Sequence, residues 1–365
     1  MKRIRIIDGD GHVNEDIPEI IKHLPEPYLG MARRSVGSLG LFPPLDHLHT
    51  PFRDSPATLQ GRGRVGPQEW LAFLEDVGIE RTVLYTTAGL SYGRFPYPEV
   101  AIAVTRAYND WLHETYVSKD SRFQGMGLIP MQEPQAAVDE LRRTITELGF
   151  CGAMLPSNGL KGHLGDREYW PVYEEASRLG CCLGIHGGSH IDFGMDHMDV
   201  WPFIHALGHP FGQMIALAGI VSNGILDRYP NVRIGFMEAG VSWLVACLER
   251  FDSSSASFSQ YDASGRFPAI PAGGKVSEYL KGFIREGRIF VGCEGDELGL
   301  AQAVQLVGSE PFIYSSDFPH EVTNETCKEE IEEVMENEGL TESDRENILC
   351  RNAERFYNLQ PVAVG

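Results

Sequence analysis

The chain has 365 residues, 42% of them hydrophobic and 22% charged, so it is long enough to bury a large core and has a globular composition. Its formal net charge of −20 argues against nucleic acid or an anionic membrane as a partner, because both are bound through clustered lysines and arginines. No apolar run approaches a membrane span or a secretory signal. Seven cysteines without CxxC spacing argue against a disulfide framework or a thiolate zinc site and favour a reduced, cytoplasmic protein.

Short apolar runs alternate with amphipathic helical stretches, a pattern typical of βα units around a parallel sheet. The predicted strands are Arg5–Asp8, Thr82–Thr87, Gly125–Pro130, Gly152–Leu155, Cys182–His186, Arg233–Glu238, Arg288–Glu294 and Phe312–Asp317. The clearest predicted helices are Pro67–Val77, Glu99–Val117, Pro134–Leu148 and Arg167–Leu179. Eight strands alternating with helices predict the α/β class and a (β/α)₈ TIM barrel, formed by residues 1–365 as a single domain.

Three irregular stretches do not fit a minimal barrel. Pro18–Gly66 and Ser189–Gly212 follow the first and fifth strands, so we expect them to be loop insertions on the face where barrel enzymes bind substrate. Ser253–Gly274 is predicted to be a flap or a partner contact. These insertions and the acidic surface are compatible with a homo-oligomer.

Metal-competent side chains fall where strands end. Asp10 and His12 follow the first strand two positions apart, so both point the same way along an extended chain. His186 ends the fifth strand and Asp317 the eighth. Any one of them alone is more often a helix cap or a loop hydrogen-bonder, but four at one rim predict a site for one or two divalent ions, Zn²⁺, Mn²⁺ or Fe²⁺.

The opening IIDGDGHVNED, the fifth-strand IHGG and the eighth-strand SSDFPH together resemble the amidohydrolase superfamily. The resemblance runs from Ile6 to about Phe356 and lies in the branch that includes the aminocarboxymuconate semialdehyde decarboxylase-like enzymes. It implies a distorted (β/α)₈ barrel with a divalent ion on the four residues at the positions of the family motifs. These are Asp10, His12, His186 and Asp317. In the hydrolases of the superfamily the eighth-strand Asp also takes a proton from the metal-bound water, a role that would fall to Asp317.

The chain departs from this family at two strand ends. Many relatives have His at the position of Asp10, and many have His at the end of the sixth strand, where this chain has Glu238. Glu294 ends the seventh strand. The resulting carboxylate-rich set resembles nonheme diiron monooxygenases of the same barrel fold that act on carrier-activated substrates, and it makes Glu238 a candidate metal ligand. The alternative for both glutamates is a carboxylate at the N-terminus of the following helix.

Further candidates surround these ligands. His320 follows Asp317 by three residues and is predicted to act with Asp317 and His186 in catalysis. His205, His209 and Glu294 are predicted to bind substrate, although a loop histidine is more often only a solvated polar residue. Glu15 is a candidate hydrogen-bond partner for a ligand imidazole.

Four functions are compatible with this pattern. Metal-dependent hydrolysis, with Asp317 as general base, is placed first because the family as a whole favours it. The others are oxygenation on paired irons bridged by a carboxylate such as Glu238, decarboxylation of an aromatic or unsaturated acid, and a catalytically inactive binding protein. The expected partner is a small organic substrate, free or linked to a carrier such as coenzyme A.

Overall fold

The computed structural model describes residues 4–35, 41–48, 64–261, 274–320 and 322–360. Its eight strands are β1 Ile7–Val13, β2 Arg81–Thr86, β3 Phe123–Leu128, β4 Gly152–Pro156, β5 Cys182–His186, β6 Arg233–Met237, β7 Ile289–Cys293 and β8 Phe312–Tyr314. Each strand pairs in parallel with the next, in the order β1 to β8. Helices lie between the strands, so the predicted (β/α)₈ barrel is confirmed.

The helices in chain order are α1 Ile17–Lys22, α2 Tyr28–Ser35, α3 Pro67–Val77, α4 Pro98–Leu112, α5 Pro134–Thr146, α6 Trp170–Leu179, α7 Trp201–Ser222, α8 Ile225–Arg228, α9 Ser242–Phe258, α10 Val276–Glu286, α11 Leu300–Val307, α12 Asn324–Glu336, α13 Glu342–Glu346 and α14 Asn352–Tyr357. A proline occupies the first turn of α3 to α7, where its missing N–H is not needed. Gly78 and Gly180, both in the left-handed conformation, end α3 and α6.

The first strand is longer than predicted and carries the site residues within it. β1 continues to Val13, with an irregular register against β2 between Asp8 and Gly11. Past the end of β8, the N–H of Asp317 donates to the carbonyl of Asp10 (2.9 Å), and the N–H of His12 donates to the carbonyl of Phe318 (2.7 Å). These bonds join the two ends of the sheet and bring residues from both ends of the chain to one place.

The stretch Ser189–Gly212, predicted as a loop, is partly helical. Helix α7 begins at Trp201 and continues through Pro210. Among the described residues it is also the one helix long and apolar enough to cross a membrane, contrary to the sequence expectation, but 56% of its most apolar stretch is buried inside the protein. Packing against the barrel overrides the low helix propensity of its glycines and prolines.

The other two irregular stretches also contain helix. The predicted insertion Pro18–Gly66 contains most of α1 and all of α2, and parts of it lie outside the described residues. In Ser253–Gly274 the helix α9 continues to Phe258, followed by a 3-10 turn to Tyr261, and residues 262–273 lie outside the described part.

One half-buried carboxyl group on α12, that of Glu330, predicts a pH dependence of stability. Burial, reinforced by the charges of Glu294 and Asp296, raises the pKa of Glu330 to about 8. The folded state then holds this proton more tightly than the unfolded chain, so the free energy of unfolding falls as pH rises from about 4.5 to about 8. We expect Glu330→Gln to be the more stable protein at pH 9, by a few kcal/mol at about 1.4 kcal/mol per pKa unit, and to match the wild type near pH 4.5.

Urea unfolding across this pH range tests the prediction, with Glu329→Gln as the control because Glu329 is the exposed neighbour. Parallel curves for the wild type and Glu330→Gln would contradict it.

Candidate metal centre

Side chains of β1, β5 and the segment after β8 meet at the mouth of the barrel. Asp10 Oδ1 lies 3.5 Å from His12 Nε2, and Asp10 Oδ2 lies 3.4 Å from His186 Nε2. Asp317 Oδ1 lies 3.4 Å from His12 Nε2. The structure thus brings together the four residues that the sequence placed at strand ends.

Backbone carbonyls fix the tautomer of both imidazoles. His12 Nδ1 donates to the carbonyl of Thr86 (2.7 Å), and His186 Nδ1 donates to the carbonyl of Gly187 (2.8 Å). Since a carbonyl only accepts, each ring carries its proton on Nδ1 and turns Nε2 toward Asp10. This is the arrangement in which a neutral imidazole acts as a metal ligand.

The atoms of this cluster fit a divalent cation. Asp10 is 1% exposed, and His12 and His186 are fully buried. In the part of the chain that the structure describes, neither oxygen of Asp10 and neither of the two Nε2 atoms has a hydrogen-bond partner. A buried carboxylate in that state costs several kcal/mol, whereas one divalent ion would satisfy all four atoms. Mixed nitrogen and oxygen donors suit Zn²⁺, Mn²⁺ and Fe²⁺.

The electrostatic environment differs between the two imidazoles. Burial, with the neighbouring rings of His320 and His186, lowers the pKa of His12 well below its ordinary value. Burial acts in the same direction on His186, but the carboxylates of Asp10 and Glu238 outweigh it and raise the pKa of His186. His12 is therefore held neutral, the form in which imidazole binds a metal.

Asp317 and His320 form a close pair at the rim. Asp317 has a positive φ of 52°, which turns the chain sharply after β8. His320 Nδ1 lies 2.6 Å from Asp317 Oδ1, and His320 Nε2 lies 3.0 Å from Thr87 Oγ1. The ring of His320 also packs on that of His12, with centroids 4.2 Å apart. His320 therefore contacts Asp317 directly, the geometry that the predicted catalytic role requires.

Glu238 is the second acidic residue with a positive φ, 53°, at the end of a strand. Its Oε2 lies 3.4 Å from His186 Nδ1 and 3.6 Å from His209 Nδ1. Burial, with the charge of Asp317, raises the pKa of Glu238 well above its ordinary value. Donor atoms of Glu238, His205 and His209 lie within 4.8 Å of one another, so these three form a further cluster able to hold a metal.

His205 and His209 lie on α7 and not in a loop. They are one helical turn apart, and Gln213 lies one turn further on the same face. Gln213 Nε2 donates to the carbonyls of Ile185 (3.0 Å) and Met237 (2.7 Å), at the ends of β5 and β6. These bonds fix the rotation of α7 so that both histidines face the barrel mouth. Sequence reasoning missed Gln213, although its spacing from the two histidines was a usable signal.

Glu294 lies directly after the seventh strand. It is exposed and belongs to none of the possible metal clusters among the described residues, so its contact with substrate stays a prediction. The carboxylate at the N-terminus of α9 is Glu297, which accepts the N–H of Val241 at 2.7 Å, so the helix-terminus alternative for Glu238 is not adopted. Burial raises the pKa of Glu297 to about 7.

Two other carboxylates, those of Glu15 and Asp8, accept hydrogen bonds from backbone N–H groups close to the metal donors. Glu15, predicted as a partner of a ligand imidazole, instead accepts the N–H groups of Thr87 (2.8 Å) and Ala88 (3.0 Å). Asp8, to which the sequence assigned no role, accepts the N–H of Ser316 at 2.8 Å and so ties β1 to the end of β8. Both fix the backbone on either side of the metal donors.

The family model described as amidohydrolase matches residues 45–359. The chain belongs to the amidohydrolase family. Over 79% of its length it is 26% identical to the 2-amino-3-carboxymuconate-6-semialdehyde decarboxylase of Dictyostelium discoideum, covering 74% of that protein. Over the same share it is 28% identical to the gamma-resorcylate decarboxylase of Rhodococcus jostii, covering 86% of that protein. The predicted branch of the superfamily is thereby confirmed.

Solved structures support the fold. A 5-carboxyvanillate decarboxylase from Novosphingobium aromaticivorans, with bound manganese, superimposes with a TM-score of 0.74 at 19% identity, over 98% of this chain and 97% of the other. A 2,6-dihydroxybenzoate decarboxylase from Rhizobium gives 0.68 at 19% identity, over 98% and 99%. Together with the family model, the buried donor cluster identifies the chain as a metal-dependent enzyme of the amidohydrolase family, with a divalent ion as cofactor.

Proposed function

We propose that this enzyme is a carboxy-lyase that removes carbon dioxide from a small aromatic or unsaturated carboxylic acid. The proposal moves decarboxylation ahead of hydrolysis, because the relatives that match most of the chain are named as decarboxylases. The observation that carries it is the pair Asp317 and His320, 2.6 Å apart beside the metal donors. The sixth strand lacks the histidine that the family resemblance implies, but His320 supplies an imidazole from the segment after the eighth strand.

Separate residues would bind the ion and donate the proton in this reaction. A divalent ion on Asp10, His12 and His186 would supply the positive charge that binds the substrate carboxylate and a neighbouring oxygen. When the bond to the carboxyl carbon breaks, its electron pair stays on the substrate carbon and carbon dioxide leaves. The Asp317–His320 pair donates a proton to that carbon, and Thr87 Oγ1, 3.0 Å from His320 Nε2, holds the imidazole in place for this transfer.

Oxygenation is the second candidate, favoured by one specific observation. Glu238 replaces the sixth-strand histidine of many relatives and faces His209 at 3.6 Å. Two imidazoles and one carboxylate are the donor set of nonheme iron oxygenases. Hydrolysis would use an ion on Asp10, His12 and His186, which together are called the first donor set, with Asp317 as base. No contact in the site favours it over decarboxylation.

Isotope labelling separates the three reactions. We expect the manganese-loaded enzyme, given 2,6-dihydroxybenzoate, 5-carboxyvanillate and related phenolic and unsaturated acids, to release carbon dioxide and to place one deuterium from D₂O on the substrate carbon, without consuming oxygen. Product labelled from H₂¹⁸O would instead indicate hydrolysis, and product labelled from ¹⁸O₂ would indicate oxygenation. Either result, in the absence of carbon dioxide release, would refute the proposal.

A further inference from the structure

We propose that Glu238, His205 and His209 form a second divalent-cation site beside the first donor set, and that the two histidines are ligands and not the substrate contacts predicted from the sequence. The ligand atoms of the three residues lie within 4.8 Å of one another. Their composition, two imidazoles and one carboxylate, suits a first-row transition metal such as Fe²⁺, Mn²⁺ or Zn²⁺.

Two of the donor atoms are buried without hydrogen bonds. His209 is 7% exposed, and within the described residues neither its Nδ1 nor Oε2 of Glu238 has a hydrogen-bond partner. The 3.6 Å between these two atoms is too long for a hydrogen bond but matches two ligands of one ion. Buried polar atoms are almost always satisfied, and a cation bound between these two atoms would satisfy both.

The backbone leaves room for this arrangement. A side chain at Gly187 would overlap the ring of His209, so the glycine after His186 is required for α7 to approach β5. Gln213 then fixes the rotation of α7 through its bonds to the ends of β5 and β6. The positive φ of Glu238 turns its side chain toward the same space. Three separate elements therefore converge on one point.

Neighbouring side chains hold the two imidazoles. The ring of His190 packs edge-on against His209 with centroids 4.9 Å apart, and His190 Nδ1 lies 3.1 Å from Asp46 Oδ2. Trp201 packs against His205 with centroids 5.1 Å apart. Asp46 belongs to the described part of the insertion after β1, residues 41–48, which therefore contacts the side chains around the second site. Preorganised rings of this kind favour a metal site over a mobile substrate contact.

The two sites would be neighbours on either side of His186. Its Nε2 faces Asp10 of the first set, while its protonated Nδ1, which donates to the carbonyl of Gly187, lies 3.4 Å from Oε2 of Glu238. His186 would thus be a ligand of the first ion only and would contact a ligand of the second. The inference deepens the proposed function and rests on the first ion being bound.

Metal content tests this inference directly. The full-length protein would be stripped, reloaded with Mn²⁺ and desalted, and its manganese counted by mass spectrometry. We expect two ions per chain in the wild type and one in His209→Gln and in His205→Gln. His197→Gln is the matched control, since His197 is exposed and outside the cluster, and it should keep two. The electron paramagnetic resonance signal of interacting Mn²⁺ pairs should disappear only in the first two variants.

The ion that remains in the first set shows that a variant is folded, and circular dichroism checks this independently. One ion in the wild type, two in both cluster variants, or loss of both ions from a folded variant would overturn the second site. A wild-type protein that binds one ion and releases carbon dioxide would refute the second site and support decarboxylation. A protein that binds two ions and releases no carbon dioxide would support the second site and refute decarboxylation.

Discussion

Asp10→Asn is expected to lose the ion of the first donor set and all measurable turnover. Each oxygen of Asp10 faces one imidazole, so the amide removes the negative charge and one of the two donors. Loss of a supporting group around a metal costs about 10- to 100-fold in affinity, and loss of a ligand should cost more. Competition with a fluorescent chelator measures the affinity.

The same variant should reverse the order of stabilities with and without metal. An ion at 1,000 times its dissociation constant stabilises the wild type by about 4 kcal/mol, a term that Asp10→Asn lacks. In chelator, the wild type buries a carboxylate without hydrogen bonds, and the variant should be equally or more stable. Thermal melts with Mn²⁺ and with EDTA test this, and Asp139→Asn, on the exposed face of α5, is the control. A variant less stable than the wild type by the same amount in both conditions would show that Asp10 is only structural.

Asp317→Asn is expected to lower kcat by about 10²- to 10⁴-fold, the usual contribution of a positioned acid or base. Asparagine tolerates a positive φ, so the turn after β8 should survive, and the amide oxygen still offers the metal a donor. The loss should therefore appear in kcat at saturating metal, with the manganese content of the first set retained.

His320→Asn provides the comparison for this prediction. Its imidazole is the second member of the proton-donating pair, 2.6 Å from Asp317, so its removal should also lower kcat and should displace the pH profile of kcat. An Asp317→Asn enzyme with wild-type kcat would exclude the carboxylate from proton transfer. A large loss that is restored by higher metal concentration would assign Asp317 to metal binding alone.

The family resemblance implies a histidine at the end of the sixth strand, where this chain has Glu238. Helix α7 supplies imidazoles from His205 and His209, whose ligand atoms lie within 4.8 Å of the Glu238 carboxylate. Nitrogen donors therefore lie near the end of the sixth strand, but helix α7 carries them. Family membership alone therefore does not determine the reaction at this site.

Much of the first donor set could be predicted from the chain alone. The period of the apolar runs identifies eight strands, and the ends of parallel strands share one face of a barrel. Asp10, His12, His186 and Asp317 stand at or next to those ends, so their convergence follows once the sheet closes. The sequence erred in ending β1 before Asp10, because glycines and aspartates weaken a strand signal that pairing with β2 restores. It also erred in extending the eighth strand to Asp317, since β8 ends at Tyr314.

The rest depended on the tertiary structure. Which face of α7 meets the barrel is decided by Gln213 and by the space at Gly187, and neither contact is local in sequence. Long-range contacts also decide which acid after β7 accepts a hydrogen bond at the N-terminus of α9. Glu297 accepts the N–H of Val241 there, while Glu294 is exposed. The sequence by itself determined the strands and the metal-competent side chains near their ends, because a strand end has one position in a closed sheet. Only the fold decided which helix and loop side chains join them, because a helix can turn any face toward the core until long-range packing and hydrogen bonds choose one.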